Sequence, residues 1–179
     1  MEKKQPEILG IKEIARSRIF KIEEVHLRYS NGEERHYERV EGRSKRSVLV
    51  VPVLDDNTIL LIREYGTGID AYTIGFPKGA VDEGEEILDA ANRELMEEVG
   101  YSANTLQHAK EVSTSPSYKT NKMQIVVARG LTPATAEGDE PEILDVVPWK
   151  LDNIDALLAN PEFNEARSIA ALFLLLREK

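Results

Sequence analysis

Apolar and polar positions alternate loosely from Arg18 to Tyr29 and again from Arg35 to Val40, the period of two that marks half-buried strands. Ser30-Asn31-Gly32-Glu33 lies between them. Asn-Gly supplies the positive φ angles of a tight turn, so the pattern predicts a two-stranded ribbon. A charged stretch, Glu41 to Arg46, follows as a linker. Ser47–Leu54 and Thr58–Tyr65 are almost continuously apolar and flank the turn residues Asp55-Asp56-Asn57. Such runs predict a hairpin in a sheet covered on both faces. Ala71–Phe76, His108–Val112 and Met123–Arg129 are further strand candidates, and Pro77–Gly84 and Thr132–Pro141 are loops. The period changes to helical over Glu85–Val99, with Gly100 placed to end the helix, and again over Asp152–Leu158 and Glu165–Arg177. Strands first, helices interspersed and no regular βαβ repeat predict an α/β sandwich rather than a Rossmann sheet.

A length of 179 residues suits one globular domain with a small appended element. Lys and Arg number 23 against 32 Asp and Glu, a formal net charge of −9. That balance repels nucleic acid over most of the surface, so the expected partner is a small phosphorylated molecule neutralised locally. With no cysteine, disulfides and thiolate zinc sites are excluded. The N-terminal residues lack the apolar stretch of a signal peptide, and the longest apolar runs are too short to span a bilayer. A cytoplasmic protein without membrane contact is expected.

The segment Gly79–Tyr101 carries the chemistry. Glu94, Glu97 and Glu98 stand three and four positions apart, which on a helix fills an arc of roughly 100° within reach of a common point. Like charges at those spacings destabilise a helix unless something offsets them, and a hard divalent cation does so. Leu88, Ala91, Leu95 and Val99 form the apolar stripe, the three acids flank it, and small Ala90 leaves room among them for a ligand. By charge alone a solvated acidic helix face explains the same residues. The wider pattern decides otherwise. Gly79 is followed after five residues by Glu85, and after seven more by Arg93-Glu94-Leu95-Met96-Glu97-Glu98-Val99-Gly100. This resembles the Nudix box, a loop–helix–loop motif, at each of its polar and glycine positions; Tyr101 stands where an aliphatic residue is usual.

The resemblance to the Nudix hydrolases implies an α/β/α sandwich with a mixed sheet and a reaction dependent on Mg²⁺, with Mn²⁺ a substitute. It implies that Glu94 and Glu98 bind the metal, that Glu97 is a further ligand or the water-activating base, and that the Gly79 carbonyl joins the metal. Arg93 has the wrong charge for a ligand and is expected to orient Glu85 or Glu97. Pro116, fifteen residues past Tyr101, resembles the marker of the ADP-ribose pyrophosphatase-like branch, and Tyr118 close behind is associated with dinucleoside polyphosphates. Further stretches, among them Leu61-Ile62-Arg63-Glu64-Tyr65 and Phe163-Asn164-Glu165-Ala166-Arg167, look like the bacterial ADP-compounds hydrolases of NudE type.

That likeness implies an ADP-containing substrate (ADP-ribose, diadenosine di- or triphosphate, or NADH) cut to release AMP. The alternatives are a Nudix enzyme with another nucleoside di- or triphosphate substrate, or an inactive nucleotide-binding module. Arg63 could reach a phosphate; Tyr37, Arg39, Ser117 and Tyr118 could touch ribose or adenine. In ADP-ribose hydrolases a glutamate from a loop such as Thr132–Pro141 serves as base or metal ligand, which here means Glu137 or Glu140. By analogy residues 1–45 form an N-terminal antiparallel β element for homodimerisation, ahead of a Nudix domain over residues 46–179.

Overall fold

The computed structural model describes residues 3–42, 46–138 and 142–178. Two compact units form, the first drawn from residues 1–45 and 113–122, the second from residues 46–112 and 123–179.

The first unit is an antiparallel sheet in the order β1-β2-β3, with β1 spanning Glu7–Arg16, β2 Phe20–Arg28 and β3 Glu34–Gly42. The expected ribbon corresponds to β2 and β3, but its turn is longer than a two-residue hairpin. Arg28 pairs with Glu34, Tyr29 N–H donates to Glu33 O, and only Gly32 of the connection takes a positive φ. Strand β1 has no counterpart in the alternation of the sequence. Its pairing with β2 shifts between Ile8 and Gly10 and again between Glu13 and Ala15. Those bulges stretch the apolar spacing to Ile8, Ile11 and Ile14, a period of three that hides a strand. The segment from Ser113 to Lys122 docks on β3, where Val40 N–H donates to Tyr118 O at 2.7 Å and Thr120 N–H donates to Val40 O at 3.2 Å.

The second unit is an α/β sandwich built on a mixed seven-stranded sheet. Its strands are β4 (Arg46–Asp55), β5 (Thr58–Gly66), β6 (Ala71–Gly75), β7 (Lys78–Ala80), β8 (Tyr101–Ser113), β9 (Lys122–Pro133) and β10 (Asp145–Lys150). The main path runs β10-β5-β4-β9-β8, with β6 added to β5 and β7 to β4. Alternate residues of β4 and β5 enter two separate cores, as their continuous apolar character requires. Leu49, Val51, Ile59 and Leu61 join Ala171, Leu172 and Leu175 of helix α3 (Ala166–Arg177). Val48, Val50, Leu60 and Ile62 join Ala90, Ala91 and Leu95 of helix α1 (Ile87–Glu98). Helices therefore cover both faces, and each of these buried Val, Leu and Ile side chains contributes roughly 1.5–3 kcal/mol. A short helix α2, Ile154–Ala159, follows a 3₁₀ turn at Leu151–Asn153.

The sheet contains more strand than the periodicity indicates. β8 begins at Tyr101, ahead of the expected strand at His108, and β10 follows the acidic loop without any alternation to announce it. Pro148 lies within β10, which is tolerated because β10 is the edge of the path and, among the described residues, pairs only with β5. Helix α1 begins at Ile87 rather than Glu85, and its apolar stripe is turned from the one expected. Leu88 is 39% exposed, while Ile87 packs on the core and Ala90 is fully buried. Ala90 thus fills the helix–sheet interface and leaves no ligand space. Gly100 ends the helix with a φ of 78°, as expected.

Candidate active site

The α1 face that rotates inward carries two of the three acids with it. Ala90, Glu94 and Glu98 follow one another at intervals of four, and α1 packs against β4 and β7. Glu94 is 6% exposed and Glu98 8%. A buried carboxylate is unfavourable unless hydrogen-bonded or balanced by charge. Glu98 Oε2 accepts the Lys78 N–H at 2.8 Å. Burial nevertheless pushes its carboxyl up to about 8, against the lowering effect of that bond.

Glu94 meets Arg93, whose guanidinium organises the whole loop–helix segment. Arg93 Nη1 donates to Glu94 Oε1 at 2.7 Å and to Glu97 Oε2 at 3.0 Å. Nε donates to Glu85 Oε1 at 2.9 Å, while Nη2 donates to Glu85 Oε2 at 3.1 Å and to Ala80 O at 2.9 Å. Glu85 in turn accepts the Asp82 N–H at 2.9 Å, which closes the loop before the helix. The Arg93 guanidinium holds the Glu85 carboxyl below its ordinary range, and Glu85 raises the arginine.

Gly79, in β7, is required by the same packing. A Cβ built there would lie 2.0 Å from Glu94 Oε1. The Glu94 carboxylate therefore occupies the space a side chain at 79 would need. Glu97 and Glu98 also line a cavity of about 460 Å³ with Gly100, Thr135, Gly138 and Glu142. The loop bearing Glu137 is tied to the end of α1 through Ala134 N–H to Gly100 O at 3.0 Å. Glu140 lies outside the described residues. Glu142, which no motif singles out, accepts the Tyr72 hydroxyl at 2.9 Å.

The expected substrate residues fall into two groups. Tyr37, Arg39, Ser117 and Tyr118 line one cavity of about 660 Å³ within the first unit, together with Tyr29 and Pro116. There Tyr29 and Tyr37 share a hydroxyl hydrogen bond at 3.2 Å, and Arg39 pairs with buried Glu23 at 2.8 Å. Arg63 belongs to the second unit and is already engaged. It forms two bonds to Glu162, at 3.0 and 3.1 Å, and lies over the Tyr72 ring at 4.8 Å. A phosphate at Arg63 has to displace Glu162.

Among the described residues, no three carboxylate or imidazole groups converge on one cation position. Glu94 and Glu97 reach the Arg93 guanidinium and Glu98 reaches the Lys78 backbone N–H, so in place of the common point expected from helical spacing two acids share a basic partner and the third takes a main-chain donor. The donor chemistry nonetheless fits a hard divalent cation. Three carboxylates within two helical turns, two of them buried, supply the anionic oxygens such an ion prefers.

This sheet-and-helix frame with an Arg-centred acid cluster defines a class. Residues 43–173 match the family model described as the NUDIX domain, and the chain belongs to the Nudix hydrolase family, whose members are generally dependent on divalent metal. Residues 6–39 match the NudE-type Nudix hydrolase N-terminal domain. The chain is 50% identical over 171 residues to the ADP compounds hydrolase NudE of Escherichia coli, covering 96% of this chain and 91% of that protein. It is 27% identical to an ADP-ribose pyrophosphatase of Bacillus subtilis, over 93% of this chain and 94% of the other. A crystal structure of an ADP compounds hydrolase superposes with a TM-score of 0.90 at 48% identity, covering 99% of this chain and 95% of that one.

Proposed function

We propose that the protein hydrolyses the diphosphate linkage of ADP-containing compounds, namely ADP-ribose, diadenosine di- and triphosphate and NADH, and releases AMP. The observation that supports this most is the buried Glu94 carboxylate seated in the space left by Gly79, in a chain half identical to an ADP compounds hydrolase. Glu94 and Glu98, with the Gly79 carbonyl, would hold Mg²⁺, which polarises the diphosphate and activates water when bound. Glu97, at the cavity beside α1, accepts the proton of the attacking water. Arg93 and Glu85 fix the orientation of these acids. Tyr37 and Tyr118 offer ring faces, and Arg39 and Ser117 hydrogen-bonding groups, to the adenosine.

Chromatography of the products tests this reading. AMP is expected from ADP-ribose, diadenosine triphosphate and NADH with Mg²⁺, none with EDTA, and no product from dGTP. Turnover of dGTP alone would transfer the reaction to nucleoside triphosphates. Binding without turnover would leave a nucleotide-binding module.

The working form in this reading is a homodimer in the cytoplasm, and the first unit supports the dimer. Ile8, Ile11 and Ile14 of edge strand β1 are 56%, 49% and 43% exposed, an apolar row of the kind that marks protein contacts. Among the described residues no helix is long and apolar enough to cross a membrane. Light scattering at micromolar concentration should give twice the chain mass, and Ile11→Glu should give the monomer. A monomeric parent protein would remove the dimer.

A further inference from the structure

The second unit holds a cavity that the reaction described above does not use. It measures about 310 Å³ and is lined by β5, β6, β7 and the start of α3, with Glu64, Lys78, Thr73, Glu165, Arg167 and Ser168 among its polar groups. Lys78 joins this cavity to the acid cluster. Its backbone N–H donates to Glu98 Oε2 at 2.8 Å, while its Nζ donates to Glu64 Oε1 at 2.5 Å. The residue that holds a buried acid therefore also sends an ammonium group along the cavity wall.

The cavity chemistry suits an anion. An ammonium group has three donors, of which Glu64 takes one. Arg167 pairs with Glu165, which caps α3 by accepting the Ser168 N–H at 2.7 Å. Both cations are thus pre-placed by acids, and Glu64, with 31% of its side chain exposed, can turn to water when a phosphate takes its place. The volume lies at the low end for ligand sites, enough for the phosphates and sugar of a leaving group, with any base attached to them lying outside it.

We propose that this cavity receives the phosphate-bearing group beyond the cleaved linkage, and that Lys78 determines how well substrates with an additional phosphate there are used. The inference rests on the reading of the protein as an ADP-compound hydrolase. In each case water adds to one phosphorus of the linkage and the bridging P–O bond breaks. ADP-ribose then yields AMP and ribose 5-phosphate, whereas diadenosine triphosphate yields AMP and ADP. Only the second leaving group carries a further phosphate to meet Lys78.

Lys78→Met keeps the backbone N–H that holds Glu98 and removes the ammonium. The ratio of kcat/KM for diadenosine triphosphate to that for ADP-ribose should fall about tenfold, chiefly through KM, as expected for one lost charge-assisted hydrogen bond. Arg167→Met should lower the same ratio by a smaller factor, and it decides the matter alone if Lys78→Met does not fold. A ratio within twofold of the parent in the folded variants overturns the inference. So does an equal loss on both substrates, since Lys78 would then act only through Glu98. A parent protein that releases no AMP from either compound overturns the underlying function, and the inference with it, and that outcome is read from the parent alone.

Discussion

Gly79→Ala should leave the protein folded and remove its hydrolytic activity. The new Cβ would lie 2.0 Å from Glu94 Oε1, 2.1 Å from its Cδ and 2.2 Å from its Oε2, so the two groups cannot coexist. The obstacle is the end of a flexible side chain rather than backbone, and Gly79 is not among the positive-φ glycines, so β7 need not distort. Glu94 has to leave instead, breaking its 2.7 Å bond to Arg93 and abandoning a buried position. Displacing a group at the reacting centre by an ångström or more costs about 10²–10³-fold in rate. Glu94→Gln should match that loss, because it keeps the shape and deletes the charge. Thermal melts of Gly79→Ala should shift by only a few degrees, about 1 kcal/mol for a chain of this size. Activity within threefold of the parent in Gly79→Ala would mean that the Glu94 carboxylate does not have to sit against β7.

The pairing of Gly79 with Glu94 shows how far the site is legible in the sequence. The spacing of the motif picks out both residues, and periodicity makes helix α1 and its terminating Gly100 plain. What periodicity does not reveal is the rotation of the helix. Leu88 counts as core by hydropathy, yet it is exposed, and acidic Glu94 and Glu98 take the inward positions. A pattern of hydrophobicity assigns charged residues to water, and a site that buries them breaks the rule on which the pattern depends.

Other residues are illegible because their roles come from partners distant in sequence. Lys78 holds Glu98 through a backbone N–H, which no side-chain pattern reveals. Tyr72 reaches Glu142 seventy residues on, and Arg63, expected to face a phosphate, meets Glu162. Tyr37, Arg39, Ser117 and Tyr118 stand out one by one, but only the docking of residues 113–122 on β3 brings them to one cavity. In the sheet, β4 and β5 are visible because both faces are buried. β1 and β10 are not, since bulges and an edge proline disturb the alternation by which strands are recognised.

Arg93→Met should cost more stability than any other single change in the motif. The guanidinium makes five hydrogen bonds, to both oxygens of Glu85, to Glu94, to Glu97 and to the Ala80 carbonyl. Methionine fills a similar volume and leaves three carboxylates facing one another, Glu94 among them buried. Removing one partner of a buried ion pair costs about 3–5 kcal/mol, and the partial exposure of Arg93, 29% of its side chain, brings the expectation to roughly 3 kcal/mol. For a chain of this length that is a fall of about 10 °C in Tm. Arg93→Lys restores the charge but not the planar fork, so it should recover part of the stability while activity stays about 10–100-fold down. Added Mg²⁺ should raise the Tm of Arg93→Met more than that of the parent, because the cation would neutralise the carboxylates that the arginine no longer balances. Calorimetry with and without Mg²⁺ checks both statements. A methionine variant within about 2 °C of the parent, with equal response to Mg²⁺, would show that Arg93 neither holds these acids together nor competes with a cation for them.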